Sequence, residues 1–266
     1  MSTFISTSAG SLVNLERRPL GIKLPAGKLI LAEEREDPLP VGWVALKVGA
    51  KHGATWRTLA TSFPQHGLWP VVLSSLSSDD ERPWLAGELG FDEPSSPADF
   101  DVLTVLRERW RSGVPTEDAE GLAALAPFGP EFPGLAARFD GKDDLGALTS
   151  AVDALEGRLG LVPVTRPADV PVALAWSGPL NHFSDMGLLS AVLRSWEDRF
   201  GAFLVGVGFD TISLAVERPP ADRRAAASVA AEHFAICSDC VWQGPGSIEA
   251  YADQLLGART WQLWWD

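Results

Sequence analysis

Ala202-Phe203-Leu204-Val205-Gly206-Val207-Gly208-Phe209-Asp210-Thr211-Ile212-Ser213-Leu214-Ala215-Val216-Glu217 is the stretch that decides the fold. Ala202 to Phe209 is an almost unbroken apolar run and reads as a buried strand. Thr211 to Glu217 alternates and reads as a half-exposed strand. The short join centred on Asp210 predicts an antiparallel hairpin. Helical patterns flank it. Upstream, Ser184 or Asp185 caps a helix with Gly187 in its first turn, and Leu189, Val192, Leu193, Trp196 and Phe200 form one apolar stripe that Gly201 ends. Downstream, Pro219-Pro220 opens a long helix from Ala221 to about Cys237, and Ser247 caps another from Ile248 to Leu256. Trp261-Gln262-Leu263-Trp264-Trp265-Asp266 closes the stretch as a strand. The expected class is α+β: a mostly antiparallel sheet in a layered sandwich, with helices packed on one face.

Farther upstream the same reading continues. Strands are expected at Leu29 to Ala32, Gly42 to Val48, Leu68 to Leu73 and Leu161 to Val164. Pro70 points to an edge or a strand start for the third of these. Helices are expected from Ala54 to Phe63, stopped by Pro64 and Gly67, from Asp99 to Trp110, near Gly121 to Ala126, from Leu148 to Arg158, and from Pro167 to about Trp176. Helix, glycine and strand follow one another twice, around Gly67 and around Gly201. Three regions are expected: an N-terminal α+β region 1–110, an irregular connector 111–147, and a C-terminal α+β domain 148–266.

Residues from about 161 to 266 resemble the bacterial domain-of-unknown-function family 4253. The resemblance is carried by Leu161-Val162-Pro163-Val164, the Trp176-Ser177-Gly178 break, and Arg194-Ser195-Trp196-Glu197-Asp198-Arg199-Phe200-Gly201-Ala202. It continues through Gly208-Phe209-Asp210-Thr211, Arg218-Pro219-Pro220, Ala231-Glu232-His233-Phe234, Trp242-Gln243-Gly244 and Trp264-Trp265-Asp266. Cys240 departs from the pattern. The resemblance implies a bacterial intracellular protein and brings no activity, substrate or catalytic residues.

Composition narrows the partners. The chain has 266 residues with a net charge of −13, and its basic clusters do not exceed pairs such as Arg17-Arg18 and Arg223-Arg224. A nucleic-acid binder needs a basic footprint, so nucleic acid and anionic membranes are excluded as expected partners. A protein or small-molecule ligand remains. Met1-Ser2-Thr3-Phe4-Ile5 lacks the pattern of a signal peptide, no apolar run is long enough to span a membrane, and two cysteines make no secreted framework. The cytoplasm is the expected compartment. Eleven Trp against one Tyr predicts a Trp-rich core, with some indoles free to line a groove.

Four sets of residues could carry chemistry. His233, Cys237 and Cys240 have soft ligands at a spacing that can hold zinc, with His182 as a fourth, or the cysteines can form a redox dithiol. The simpler reading makes Cys237 a small core residue. Asn181, His182 and Asp185, with Asp210, offer a general base beside a carboxylate; helix capping by Asp185 explains the same residues. Arg194, Glu197 and Asp198 read as a solvated ion-pair face. Gln243, Trp264 and Asp266, with Trp196 of the family-like run, are the candidate binding residues: Gln262, Trp264 and Asp266 share one strand face and could form an aromatic floor beside a carboxylate. Phosphate-binding glycine loops and a nucleophile elbow are missing, and no cofactor is expected. Two functions follow from different classes: a non-catalytic binding module, or a hydrolase or metal-assisted enzyme around His182, Asp185, Asp210 and His233. The sequence leaves open whether the protein is an enzyme.

Three Trp in the last six residues would be a costly patch if that strand were loose. Thr260 to Asp266 is therefore expected to pair in the sheet and bury Trp261 and Trp265. Deleting Trp264 to Asp266 is predicted to lower stability by roughly 3–5 kcal/mol, the scale for losing one core aromatic. Urea unfolding of the truncated chain beside Trp264→Ala checks it; equal midpoints for truncation and parent would place the strand outside the core.

Overall fold

The computed structural model describes residues 12, 15, 18–32, 39–90, 94–115, 118–141 and 144–266. Met1 to Ile5 and Arg17, which entered the sequence reading, lie outside them. The strands are β1 (Gly27–Ala32), β2 (Leu39–Ala45), β3 (Leu68–Leu73), β4 (Arg158–Pro163), β5 (Ala202–Val207), β6 (Thr211–Val216) and β7 (Thr260–Trp264). They form one sheet in the order β1-β2-β4-β3-β5-β6-β7. Every neighbouring pair is antiparallel except β3 and β5. The class is α+β, as expected. β4 sits between β2 and β3, so strands from either side of the 111–147 connector interleave.

The helices are α1 (Gly53–His66), α2 (Val102–Gly113), α3 (Ala119–Ala124), α4 (Leu145–Asp153), α5 (Val170–Ala173), α6 (Met186–Phe200), α7 (Arg223–Ile236), α8 (Asp239–Trp242) and α9 (Ile248–Leu255). They cover both faces of the sheet, which corrects the expectation of one. Strand alternation shows why. Leu204, Leu214 and Trp261 are register partners. Trp261 meets Trp196 and Phe200 of α6 and His233 of α7. Phe203 and Ala215 are paired one step along and face the other way. Phe203 meets Trp69, which packs on Trp56 and Phe63 of α1. The second layer also buries β6 on its far side: Ser213 and Ala215 are buried, so β6 is not the half-exposed strand that its alternation suggested.

The two helix–glycine–strand units are real and adjacent. Gly67 and Gly201 both take left-handed conformations, with φ of 67° and 60°, and each closes its helix by an N–H to a carbonyl of the last turn. α1 then turns into β3 and α6 into β5, and these are the two parallel strands. Pro70 is therefore central, not at an edge. A proline brings no N–H to a ladder. The β3–β5 ladder tolerates it because it is short, pairing only Val72 with Gly206 and Leu73 with Val207. The Leu204 carbonyl instead accepts the Trp69 indole N–H at 2.7 Å, and the Pro70 carbonyl accepts that of Trp56 at 2.9 Å.

Local boundaries moved where tertiary contacts overruled pattern. α1 runs through Pro64 to His66. α2 starts later than Asp99, capped by Asp101. β2 ends at Ala45 and does not reach Val48. α4 ends at Asp153, and Arg158 belongs to β4. There the buried Arg158 guanidinium donates to the Leu46 carbonyl and, at 3.0 Å, to Asp80. The ion pairs of α6 also differ from the expected face. Arg194 pairs with Asp169, at 2.7 and 2.9 Å. Glu197 and Asp198 are held by Arg166, at 2.8 and 2.7 Å. Partners from another turn replace the i,i+4 neighbours.

The deepest polar contact in this layer is at Glu232, which is fully buried. Its carboxylate accepts from Ala136 N at 2.6 Å, Trp196 Nε1 at 2.8 Å, and Arg199 Nη1 and Nη2 at 2.7 and 2.5 Å. Glu232→Ala is predicted to lower stability by roughly 3–5 kcal/mol, because Arg199 is left unpaired in the interior. The double variant Glu232→Leu/Arg199→Leu should regain most of that loss. Urea midpoints of the three proteins check this; a double variant no better than the single one would refute the ion-pair account.

Candidate functional site

On the α1/α4 side, the sheet is not covered over its whole width. The chain leaving α4, Ala154-Leu155-Glu156, lies on this face with Leu155 against Gly206. Beside it lies a groove of about 350 Å³ over β5, β6 and β7. Alternation fixes its floor: Thr211 and Ser213 of β6 pair with Trp264 and Gln262 of β7, while Ile212, Leu214, Trp261 and Leu263 turn to the core. β5 contributes Gly206 opposite Ser213, just past a bulge after Leu204. Ser74, Glu156 and Gly208 complete the lining.

Glycine keeps this groove open. A Cβ on Gly208 would stand 2.2 Å from Thr211 Oγ1 and 2.8 Å from Ser74 Oγ. A Cβ on Gly206 would stand 3.0 Å from Leu155 and 3.1 Å from Ser213. The side chains of Ser74, Glu156, Thr211, Ser213 and Gln262 have no hydrogen-bond partner among the described residues. Ser213 is only 7% exposed, and it lines the groove. Sequence reading identified the Gln262/Trp264 face of β7 but missed Ser74, Glu156, Gly206, Gly208, Thr211 and Ser213. They come from three separate stretches of chain, and only the register joins them.

The expected catalytic set is not assembled as the sequence suggested. Asp185 caps α6: its Oδ1 accepts from Gly187 N at 2.8 Å and from Ser95 N at 3.1 Å. Asp210 offers its carbonyl to Trp265 N. The carboxylate beside His182 is that of Asp239, with Oδ2 3.4 Å from Nε2. The same Asp239 oxygen accepts Asp266 N at 3.0 Å, and His182 Nε2 lies 3.1 Å from the Asp266 main-chain oxygen. Arg109 donates to the His182 carbonyl at 3.1 Å and stacks over Phe183. This cluster fastens the end of β7 to α8 and to the loop before α6. Asp239 adjoins the cysteine pair in sequence, but its pairing with His182 spans most of the C-terminal region.

The soft-ligand set separates too. Cys237 and Cys240 are buried with their sulfurs 3.1 Å apart. His233 turns Nδ1 to the Tyr251 hydroxyl at 3.0 Å and is enclosed by the Trp196 and Trp261 rings. Among the described residues, no group of three or more His, Cys, Asp or Glu side chains is placed to hold a metal ion. Of the expected binding residues, Trp196 is fully buried with its indole on Glu232 and offers no surface, whereas Gln243 and Asp266 are exposed and Trp264 is half-buried.

The fold and groove describe an α+β protein with an open sheet and a polar groove on one face. Residues 158–266 match the model of DUF4253, described as a domain of unknown function. The match contains β4 to β7 and most of the groove, with Ser74 and Glu156 outside it. No curated protein and no solved structure matches the chain. No helix among the described residues is long and apolar enough to cross a membrane.

Two buried groups near this layer titrate in opposite senses. Burial lowers His233 to about 3 from an ordinary 6.5. Its stabilising contribution is therefore complete above 6.5 and is lost as pH falls toward 3. Burial raises Glu197 from 4.5 to about 7, outweighing its pairing with Arg166. Its contribution is complete below 4.5 and is lost as pH rises through 7. Between these windows the two slopes oppose each other. Relative to the parent, Glu197→Gln is predicted to make stability rise with pH between 4.5 and 6.5, and His233→Phe to make it fall, each by about 1.4 kcal/mol per unit. Urea unfolding across that range checks both signs.

Proposed function

We propose that the C-terminal region is a non-catalytic binding module that takes a small polar ligand in the groove over β5, β6 and β7. One observation carries this: five polar side chains converge on a glycine floor without hydrogen-bond partners of their own. Side chains not engaged within the fold are free to bond a ligand that enters the groove. Glu156, Gln262 and the Ser74, Thr211 and Ser213 hydroxyls line the groove without any basic side chain. That set suits a ligand rich in donors, such as a polyol or a primary amine.

A catalytic reading draws on the His182–Asp239 pair, at a distance of 3.4 Å, in which Asp239 is buried and His182 partly exposed. Among the described residues, no serine, threonine or cysteine side chain is bonded to His182. Its contacts are to Asp239 and to the main chain of Asp266. This favours the binding reading, with His182 as a fastener.

A thermal-shift series with polyols, sugars and amines tests the proposal. A ligand at about a hundredfold over its Kd stabilises the fold by roughly 2.7 kcal/mol. Gln262→Ala and Thr211→Val are predicted to fold normally and to abolish the shift, while Gln243→Ala, which is not in the groove lining, leaves it intact. A shift that survives both groove variants, or a screen in which no compound raises the Tm, would overturn it.

A further inference from the structure

Cys237 ends α7 and Cys240 lies in α8, three residues on. Their sulfurs are 3.1 Å apart, about 1 Å longer than a disulfide bond. Two further contacts orient them. Cys237 Sγ donates to the Trp264 carbonyl at 2.8 Å, and Cys240 Sγ lies 3.9 Å from the Gln262 carbonyl. Both thiols thus lie against the main chain of β7, beneath the strand that carries the outer face. Neither takes part in the groove or in the His182 cluster.

We propose that Cys237 and Cys240 form a reversible intramolecular disulfide, with a small peroxide as oxidant. The class of oxidant follows from burial: the cysteines are 1% and 0% exposed, so only a reagent of a few atoms reaches them through a brief opening of the four-residue α8. The order of events follows from the two environments. Burial pushes the Cys237 thiol up. At Cys240 burial acts in the same direction, but hydrogen bonding with Cys237 and with main chain at Trp264 brings the thiol net down. The Cys237 hydrogen is committed to the Trp264 carbonyl at 2.8 Å, while Cys240 has only a 3.9 Å contact to the Gln262 carbonyl, so Cys240 is the attacking thiolate. Its sulfur bonds to one peroxide oxygen, the O–O bond breaks, and the other oxygen leaves as hydroxide, giving a sulfenic acid. The Cys237 sulfur then bonds to the Cys240 sulfur. The sulfenic hydroxyl leaves with the Cys237 proton as water. The hydroxide takes up the proton that Cys240 lost on ionising, so the dithiol loses two electrons and hydrogen peroxide is reduced to two waters.

Oxidation withdraws the Cys237 S–H from the Trp264 carbonyl and ties the end of α7 to α8. The test treats the full chain with hydrogen peroxide, quenches it in acid, and measures intact mass and free thiols after unfolding. The expected product has lost two hydrogens, shows no titratable thiol, and returns to the starting mass with dithiothreitol. Cys237→Ser, treated with peroxide and then unfolded in the presence of dimedone, should carry one dimedone adduct at Cys240, because no resolving thiol remains. Cys240→Ser should react at least tenfold more slowly. Retention of both thiols in the native chain, under conditions that oxidise the unfolded chain, would overturn the proposal. So would dimedone capture at either cysteine of the parent protein with no loss of two hydrogens. These readouts do not involve the groove, so this inference and the binding proposal fail independently.

Discussion

A carboxylate in a protein interior is stable only if its lost hydration is replaced, and Glu232 replaces it with four donor atoms from two other parts of the chain. Ala136 brings the connector before α4, Trp196 and Arg199 bring α6, and Glu232 itself belongs to α7. Arg199 also donates to the Ala136 carbonyl. The segment at Ala136 is thus held on both its N–H and its carbonyl by one ion pair. Fixing the Trp196 indole fixes the wall against which Trp261 packs edge-on. Trp261 in turn positions β7, and with it the outer face carrying Gln262 and Trp264. Position along this path is set by directed bonds, because apolar packing alone does not select one rotamer of an indole so firmly.

A second constraint comes from the junction of β3 and β5. Two helix–glycine–strand units place parallel strands side by side, yet Pro70 withholds a donor from their ladder. The pairing is confined to the far ends of both strands, and β5 bulges after Leu204 before it resumes at Gly206. The bulge turns Gly206 toward Leu155 and Ser213. Leu155, from the chain after α4, lines one side of the space this leaves. A shallow polar groove is the geometric result. The same glycines that permit close approach of Ser74 and Thr211 leave no side chain to fill it.

Local chemistry was the legible part. Asp185 and Ser247 were readable as caps because a short side chain that accepts from the next turn is satisfied within a few residues. Gly201 was readable because only a residue without Cβ takes φ near 60° at little cost. Trp261 and Trp265 were readable as core from alternation. The misreadings concern partners. Arg194 and Asp198 lie at helical spacing, yet Asp169 and Arg166, from the turn before α5, reach them first. His182 was assigned Asp185, its neighbour in sequence, while Asp239 stands beside it in space. Pro70 looked like an edge residue because the carbonyl-to-indole bonds that compensate it arise from residues far along the chain.

The sequence by itself determined the α+β class, the hairpin of β5 and β6, the ends of α6, and the strand character of the last residues. Each rests on periodicity or on a cap, and those act over one or two turns of chain. Tertiary structure alone decided that helices cover both faces, that β4 enters between β2 and β3, that His233 turns from the cysteines to Tyr251, and that Ser74, Glu156, Ser213 and Gln262 meet in one groove. The reason is range. Periodicity states which side of a strand is apolar, but strand order and register state what that side faces. Those are set by the summed packing and buried hydrogen bonds of segments more than a hundred residues apart.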